Sequence, residues 1–301
     1  MLDVRRLHML RELAARGTIA ATAQALGYTP PAISQHLAAL ERQVGVALLE
    51  RQGRRVALTP AARLLVDRTE RVLAELEAAE AELADGEVRG TVRLTAFPTA
   101  AATIVPRAMA LFAAEHPAAE LTLAELEPED ALPALKVGDA DVAVVHSYDF
   151  SPRSPDQSVE LSLLLEDDIH VAIPADHAAA ADVVELEALA GDRWIAGYLD
   201  TACHRVVVTS CRDAGFEPRV VARSNDFRVV VALVAAGQGV ALVPDLAVDE
   251  VPAGVRLARP AGRPLRRRVL AAVRTGSAAH PGVAALVRAL EAACHTERAV
   301  A

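Results

Sequence analysis

A chain of 301 residues is long enough for two or three domains with a well-buried core. Its 52% apolar content, largely Ala, Val and Leu, excludes a disordered chain, and 3% aromatics argue against a large stacking surface for single-stranded nucleic acid. The net charge of −9 hides an asymmetry: residues 1–58 hold 8 arginines against 4 acidic residues, and the remainder 23 basic against 36 acidic, so a small phosphate-neutralising module is joined to an acidic body.

Apolar residues at Val4, Leu7, Leu10, Leu13 and Ala14 predict a first helix over Val4–Ala15, stopped by Gly17. From Thr18 to Leu40 the chain reads as two short helices with a tight turn. Thr18 can cap the Ile19–Leu26 segment, Gly27 falls where that helix ends, and Thr29 can cap a second helix with Pro30 in its first turn. Ala32, Ile33, Leu37 and Leu40 then recur at helical spacing to about Val44. This is a helix-turn-helix, whose second helix lies in the major groove with its first turn on base edges. Gln52-Gly53-Arg54-Arg55-Val56-Ala57-Leu58 follows as a basic turn and short alternating strand, the pattern of a wing with Arg54 and Arg55 at its tip; solvated surface arginines are the plainer alternative.

Thr59-Pro60 opens a long helix to about Asp85. Leu65, Thr69, Val72, Leu76, Ala79 and Leu83 alternate spacings of four and three, as in a coiled-coil seam, although a single buried helix could show the same stripe. Directly after a DNA-reading unit, a dimer seam through Leu65, Val72, Leu76, Ala79 and Leu83 would hold two recognition helices at a fixed spacing. Gly86 to Gly90 is a hinge-like break. Beyond it, strands are predicted at Val92–Phe97, Leu121–Leu126, Asp141–His146, Ser162–Ile173, Arg193–Gly197, Arg219–Ala222, Val240–Val243 and Arg268–Arg274. Helices are predicted at Ile104–Ala114, Asp130–Val137, Thr201–Ala214, Phe227–Ala236 and Pro281–Ala293. Such alternation indicates α/β architecture with largely parallel sheets.

The residues Ala20-Ala21, Ala25-Leu26, Pro31-Ala32-Ile33-Ser34, Leu40-Glu41, Gly45-Val46, Leu48-Leu49-Glu50-Arg51 and Leu58-Thr59-Pro60-Ala61 resemble the LysR-type transcriptional regulators. The resemblance implies an N-terminal all-α winged helix-turn-helix (residues 1–58), a linker and dimerisation helix with its hinge (59–90), and a C-terminal α/β effector-binding domain (91–301). That domain would comprise two Rossmann-like subdomains like those of periplasmic binding proteins. Subdomain I would span about 91–163 and 268–301 and subdomain II about 164–267, with crossings near Leu164–Val171 and Arg259–Arg267. It further implies a sequence-specific regulator modulated by a small molecule bound between the subdomains. The implied partners are double-stranded operator DNA, a second copy of the chain (a homodimer, or a dimer of dimers as a homotetramer) and RNA polymerase as a candidate contact. Several positions depart from the family: Pro30 stands where many members have glutamine, Gln35 replaces a frequent arginine, Leu49 a common phenylalanine and Ala62 a common glycine. These change the operator expected more than the fold.

Thr18, Thr29, Pro30, Pro31, Ser34, Gln35, His36, Arg54 and Arg55 are the candidate DNA contacts. In open α/β sheets ligands sit beyond the C-terminal strand ends. The segments there supply the candidate effector contacts Pro98, Thr99, Ala100, His146, Tyr148, Tyr198, Asp200, Thr201, Asn225 and Phe227, although Thr99, Thr201 and Asp226 would each serve as helix caps in any case. Gly237-Gln238-Gly239 lacks the third glycine of a dinucleotide fingerprint and follows a helix, so it reads as a helix stop.

No nucleophile elbow, P-loop, H-E-x-x-H or closely spaced His/Cys set is present, so no catalytic residue, metal site or cofactor is expected, and an α/β enzyme fused to a DNA-binding domain is a remote rival. Three cysteines, Cys203, Cys211 and Cys294, are too few for a disulfide scaffold and point to a reducing compartment. Cys203 falls in a helix's first turn beside His204 and Arg205, where a thiol pKa is lowered. A thiol-based oxidant-responsive regulator of the same architecture is therefore the nearer rival. However, Cys203 and Cys211 lie roughly 12 Å apart along one helix, too far for a bridge without unwinding, and inert cysteine is the simpler reading. No signal peptide is visible and no apolar run reaches the ~18 residues of a membrane helix, so a cytoplasmic location with no membrane partner is expected, against a solute-binding protein.

Overall fold

The computed structural model describes residues 2–52, 55–83, 88–148, 158–248 and 250–297. Its first three helices are α1 (Val4–Arg16), α2 (Ile19–Leu26) and α3 (Pro30–Val44). Each begins on a side chain that accepts a first-turn amide: Asp3 from Arg5, Thr18 from Ala21 and Thr29 from Ala32. Each ends on a left-handed glycine: Gly17, Gly27 and Gly45. Their apolar faces meet in a core of Leu10, Ile33, Leu37 and Leu40, joined by Leu48, Ala62 and Val66. Strands β1 (Leu49–Gln52) and β2 (Arg55–Leu58) form an antiparallel hairpin with Gln52 opposite Arg55. The Glu41 carboxylate fastens this hairpin to α3 by accepting from the Leu48 and Leu49 amides at 2.8 and 3.0 Å.

Helix α4 (Pro60–Leu83) starts on Thr59, whose hydroxyl accepts from the Ala62 amide. Its first two turns belong to the DNA-reading core, so the seam predicted along it is divided. Leu65 packs half-buried against that core and Thr69 is buried, whereas Val72 and Leu76 are 44% and 45% exposed and Ala79 is exposed. Leu83 is the last described residue of the helix; its side chain and residues 86–87 of the break predicted at Gly86–Gly90 lie outside the described residues.

The body has two lobes. Lobe I contains β3 (Gly90–Ala96), α5 (Pro98–Ala102), α6 (Ile104–Glu115), β4 (Ala119–Glu125), α7 (Pro128–Val137) and β5 (Val142–Tyr148). The 16-residue strand β6 (Val159–Pro174) leads into lobe II, with β7 (Val183–Val184), β8 (Arg193–Ala196), α8 (Ala202–Asp213), β9 (Arg219–Arg223), α9 (Phe227–Ala235), β10 (Val240–Pro244) and β11 (Val255–Pro260). Strand β12 (Arg266–Arg274) and helix α10 (Pro281–Glu297) return to lobe I.

Strand order is β4-β3-β5-β12-β6-β10-β8-β9. The triplets β4-β3-β5 and β10-β8-β9 are parallel, but β6 and β12 run antiparallel to their neighbours. The sheet is therefore mixed, not largely parallel, because the two crossing strands must run in opposite directions to leave and re-enter lobe I. Along β6 the handover falls at Asp168–Ile169: residues up to Asp168 pair with β12, and residues from Ile169 onward pair with β10 and β11.

Helices cover both faces of each lobe. In lobe I, Phe97, Ile104, Phe112, Leu286 and Leu290 fill one face and Ala131, Leu135, Ala143 and Val145 the other. In lobe II, Trp194, Val206, Val207 and Cys211 oppose Val230, Val231 and Val234 across the sheet. The short helix α5, absent from the sequence reading, starts on Pro98 directly after β3. Gly237-Gln238-Gly239 is the turn from α9 into β10.

Candidate nucleic-acid interface and effector cleft

The apolar stripe of α3 fixes which side faces outward. With Ile33, Leu37 and Leu40 buried, Pro30, Pro31, Ser34 and Gln35 are exposed on the opposite side, and Thr18 and Thr29 stand exposed at the two helix starts. The Ser34 hydroxyl donates to the Pro30 carbonyl at 3.1 Å, so its lone pairs point away from the helix. His36 is half-buried and meets Tyr28 edge to face at 6.0 Å between ring centroids, a contact that orients the imidazole. Tyr28, 43% exposed, joins this surface although sequence reasoning passed over it. Arg54 lies outside the described residues, and Arg55 is described only as the first residue of β2.

A cleft of about 820 Å³ opens between the lobes. Of the residues proposed from the sequence, Pro98, Thr99, Tyr198, Asn225 and Phe227 line it. Ala100, His146, Tyr148, Asp200 and Thr201 do not. Ala100 faces the lobe I core. His146 and Tyr148 are each 2% exposed on β5, the central strand of that lobe. Thr201 caps α8, its hydroxyl accepting from His204 and donating to the Tyr198 carbonyl. Asp200 is exposed, with its carbonyl turned to Arg205.

Beneath the cleft lies a charged floor that sequence reasoning missed. Arg267 Nε donates to Asp167 Oδ2 at 2.6 Å, with both side chains 1% exposed. Arg267 Nη2 donates to Thr99 Oγ1 at 2.9 Å, and the guanidinium lies 5.1 Å from the Phe97 ring centroid. Asp167 Oδ1 accepts from the Leu246 amide at 3.1 Å. One ion pair on the two crossing strands thus holds a wall residue of each lobe. Burial pushes the Asp167 carboxyl above its ordinary value, opposed by the adjacent Arg267. The signal available beforehand was Glu166-Asp167-Asp168 and Arg266-Arg267-Arg268 interrupting apolar strands; nothing local tells which member of each triplet turns inward.

Across the cleft, the Glu127 carboxylate of lobe I faces the Asn225 carboxamide of lobe II, and its pKa is raised by burial, against the pull of Arg267 and Asn225. Asn225 Oδ1 also accepts from the Tyr198 amide at 3.2 Å. Gly197 is required for this approach, since a Cβ there would lie 2.9 Å from Asn225 Oδ1 and 2.8 Å from both Thr201 Oγ1 and Cys203 Cβ. Glu125, Glu127, Asp130 and Asp226 make the lining acidic, and its arginine, Arg228, is bidentate to Asp226.

Cys203 is buried with its sulfur 3.7 Å from the Tyr148 hydroxyl, and burial pushes the thiol above its ordinary value. The lowering expected at a helix start is outweighed by desolvation. Cys211 is buried in the lobe II core, its thiol pushed up to about 12 by burial.

Comparison with known proteins gives the family and the fold. Residues 4–63 match the family described as bacterial regulatory helix-turn-helix protein, lysR family, and residues 85–295 match the LysR substrate binding domain. The chain is 34% identical to a "Probable hydrogen peroxide-inducible genes activator" of Streptomyces viridosporus over 85% of its own length and 83% of the relative's. Among solved structures it is similar to a full-length OxyR variant from Pseudomonas aeruginosa, with a TM-score of 0.72, 20% identity, and coverage of 98% of this chain and 95% of that one. It is also similar to full-length CbnR complexed with its target DNA, with a TM-score of 0.54, 24% identity, and coverage of 97% and 100%.

Proposed function

Given that the chain belongs to the LysR family of DNA-binding, effector-modulated transcriptional regulators, we propose that it reads its operator through the first turn of α3 and takes its effector in the cleft between the lobes. The observation that carries this reading is the pairing of an exposed α3 surface with an interlobe cleft whose two walls are fastened to one buried ion pair. Pro30, Pro31, Ser34, Gln35 and His36 face bases, Thr18 and Thr29 face phosphates, and Arg54 and Arg55 of the wing lie along the backbone. Pro98, Thr99, Tyr198, Asn225 and Phe227 contact the effector. Two chains join through the exposed outer part of α4, around Val72 and Leu76.

The cleft favours a neutral or cationic effector with hydrogen-bond donors for its carboxylates and an acceptor for Thr99. Its arginine is already paired with Asp226, Arg267 is neutralised by Asp167, and Thr99 Oγ1 accepts from Arg267 and so keeps its own proton to donate. The role is regulatory, without turnover, and is exercised in the cytoplasm where DNA is at hand. No helix among the described residues is long and apolar enough to cross a membrane.

The test is footprinting of the full chain on the DNA upstream of its own coding sequence, with and without a panel of amines, amino acids and carboxylic acids. A protected site whose occupancy responds to amines or amino acids before simple carboxylates supports the reading; no protected site overturns it. The relative described as a probable hydrogen peroxide-inducible genes activator motivates one control. Peroxide is expected to leave the footprint unchanged, because Cys203 and Cys211 are buried and protonated. A peroxide response abolished by Cys203→Ser would establish the thiol mechanism instead.

A further inference from the structure

We propose that helix α7 couples the effector cleft to the DNA-reading domain, and that Arg11 and Arg16 of α1 form a latch on its far end. The inference rests on the cleft being the effector site. At its N-terminal end α7 belongs to the cleft. Glu127, immediately before the helix, and Asp130, in its first turn, line the cavity. Glu127 faces Asn225 of lobe II across that cavity, and Glu129 lies 3.7 Å from Arg205 of α8 in lobe II. Any change in the separation of the lobes therefore acts on the first turn of α7.

At its C-terminal end the same helix holds the DNA-reading domain. Arg16 Nη2 reaches Asp139 Oδ1 at 2.9 Å and Arg11 Nη2 reaches the Val137 carbonyl at 3.4 Å. Cations belong here, because the last carbonyls of a helix have no internal partners and carry partial negative charge. Glu12, buried between the two arginines, accepts from Arg11 and from Arg16 at 2.9 Å each. From the other side Arg274 donates to the Leu135 and Ala140 carbonyls. Gly138, at φ +78, turns the chain between these arginines in a conformation that L side chains rarely adopt.

The body of α7 suits transmission. Ten residues span about 15 Å. The helix rests on the sheet through Ala131 and Leu135, with Leu132 at the edge of that contact. A smooth, small contact of this kind permits sliding of a packed helix. Pro133 has no N–H to give the Glu129 carbonyl, which loosens the first turn. The latch is also poised to open, since Arg11 Nε is buried with no hydrogen-bond partner and regains water on release. A ligand pulling on Glu127 or Asp130 thus shifts Val137 and Asp139 under the arginines. The outcome is a change in how the DNA-reading domain is oriented on the body, and with it the separation of two α3 helices in a dimer.

The experiment needs no ligand. Amide hydrogen exchange is followed in the full chain and in Arg16→Gln, Asp139→Asn, Arg205→Gln and the double variant Arg16→Gln/Arg205→Gln. Asp139 and Arg205 are exposed and Arg16 is partly exposed, so the folds of both domains persist. Arg16→Gln and Asp139→Asn are expected to speed exchange in the last turns of α1 and α7 by about threefold or more. Arg205→Gln, at the opposite end of α7, is expected to speed exchange in the same α1 amides, with the double variant less than additive. Exchange in α1 that ignores Arg205→Gln, or effects that simply add, would overturn the coupling. Binding of each protein to its own upstream DNA separates the two readings: a wild type that binds while α1 ignores Arg205→Gln sinks only the coupling, and a wild type that never binds sinks the proposed function itself.

Discussion

At the scale of single residues, the exposed turn of α3 and the buried floor of the cleft make opposite demands. Gln35 is exposed and makes no contact that the fold needs, so Gln35→Ala should leave stability unchanged and relax base preference at one operator position by ~1–3 kcal/mol, read from binding across operator variants. Arg55→Ala should weaken all sequences alike and lower the salt slope by about 1. Unchanged preference in the first or unchanged salt slope in the second would remove that residue from the interface. Asp167 is the reverse case. Asp167→Ala leaves the Arg267 guanidinium buried and uncompensated, and is expected to cost about 3–5 kcal/mol in denaturant unfolding. Asp167→Leu combined with Arg267→Met should recover most of that loss while altering effector response, because Thr99 and Leu246 lose their common anchor.

At the scale of elements, α4 combines two roles that its repeating pattern presents as one. Leu65 packs against the core of the DNA-reading domain and Thr69 is buried, and only from Val72 outward does the apolar stripe face solvent. Val72→Glu with Leu76→Glu is therefore expected to yield monomers by sedimentation with the melting of the DNA-reading domain unchanged, whereas Leu65→Ala should lower stability and leave assembly alone. Helix α7 likewise read from sequence only as a helix over Asp130–Val137. Its two ends acquire meaning only because one reaches the cleft and the other the arginines of α1.

At the scale of the whole molecule, the two lobes are joined by β6 and β12, and titration near that junction gives stability a definite pH dependence. His170 on β6 is hydrogen-bonded to Asp245 after β10, which raises its pKa above 6.5 despite partial burial. A group raised in the folded state contributes stability that is complete below its unfolded value and is lost as pH rises through the folded one. Lobe II is thus expected to melt at progressively lower temperature as pH rises from 6.5 through that raised value, and His170→Gln should flatten this part of the profile. Glu127 and Asp167, raised by burial from 4.5 and 3.8, act in the same direction in a more acidic window. A melting temperature that climbs over the neutral range would refute the assignment to His170.

What the sequence determined by itself was local. Thr18, Gly27, Thr29 and Pro30 set the boundaries of the helix-turn-helix, and the buried stripe of α3 assigned its outward face, because caps and periodicity act within a few residues of chain. Alternating strands and helices indicated an α/β body, and five of the ten effector candidates line the cleft. Only the tertiary structure decided the rest. Asp167 and Arg267 are 100 residues apart, and only the register of the crossing strands turns both inward; their neighbours Asp168 and Arg266 pair on the exposed side. His146 and Tyr148 looked like cleft residues until packing buried them, His146 against Phe97 and Tyr148 in the core of lobe II. The inert reading of Cys203 gained its physical reason only from the structure, where burial pushes the thiol up against the effect of its helix start. Burial, strand register and contacts between distant segments depend on the whole chain's packing, so no window of sequence contains them.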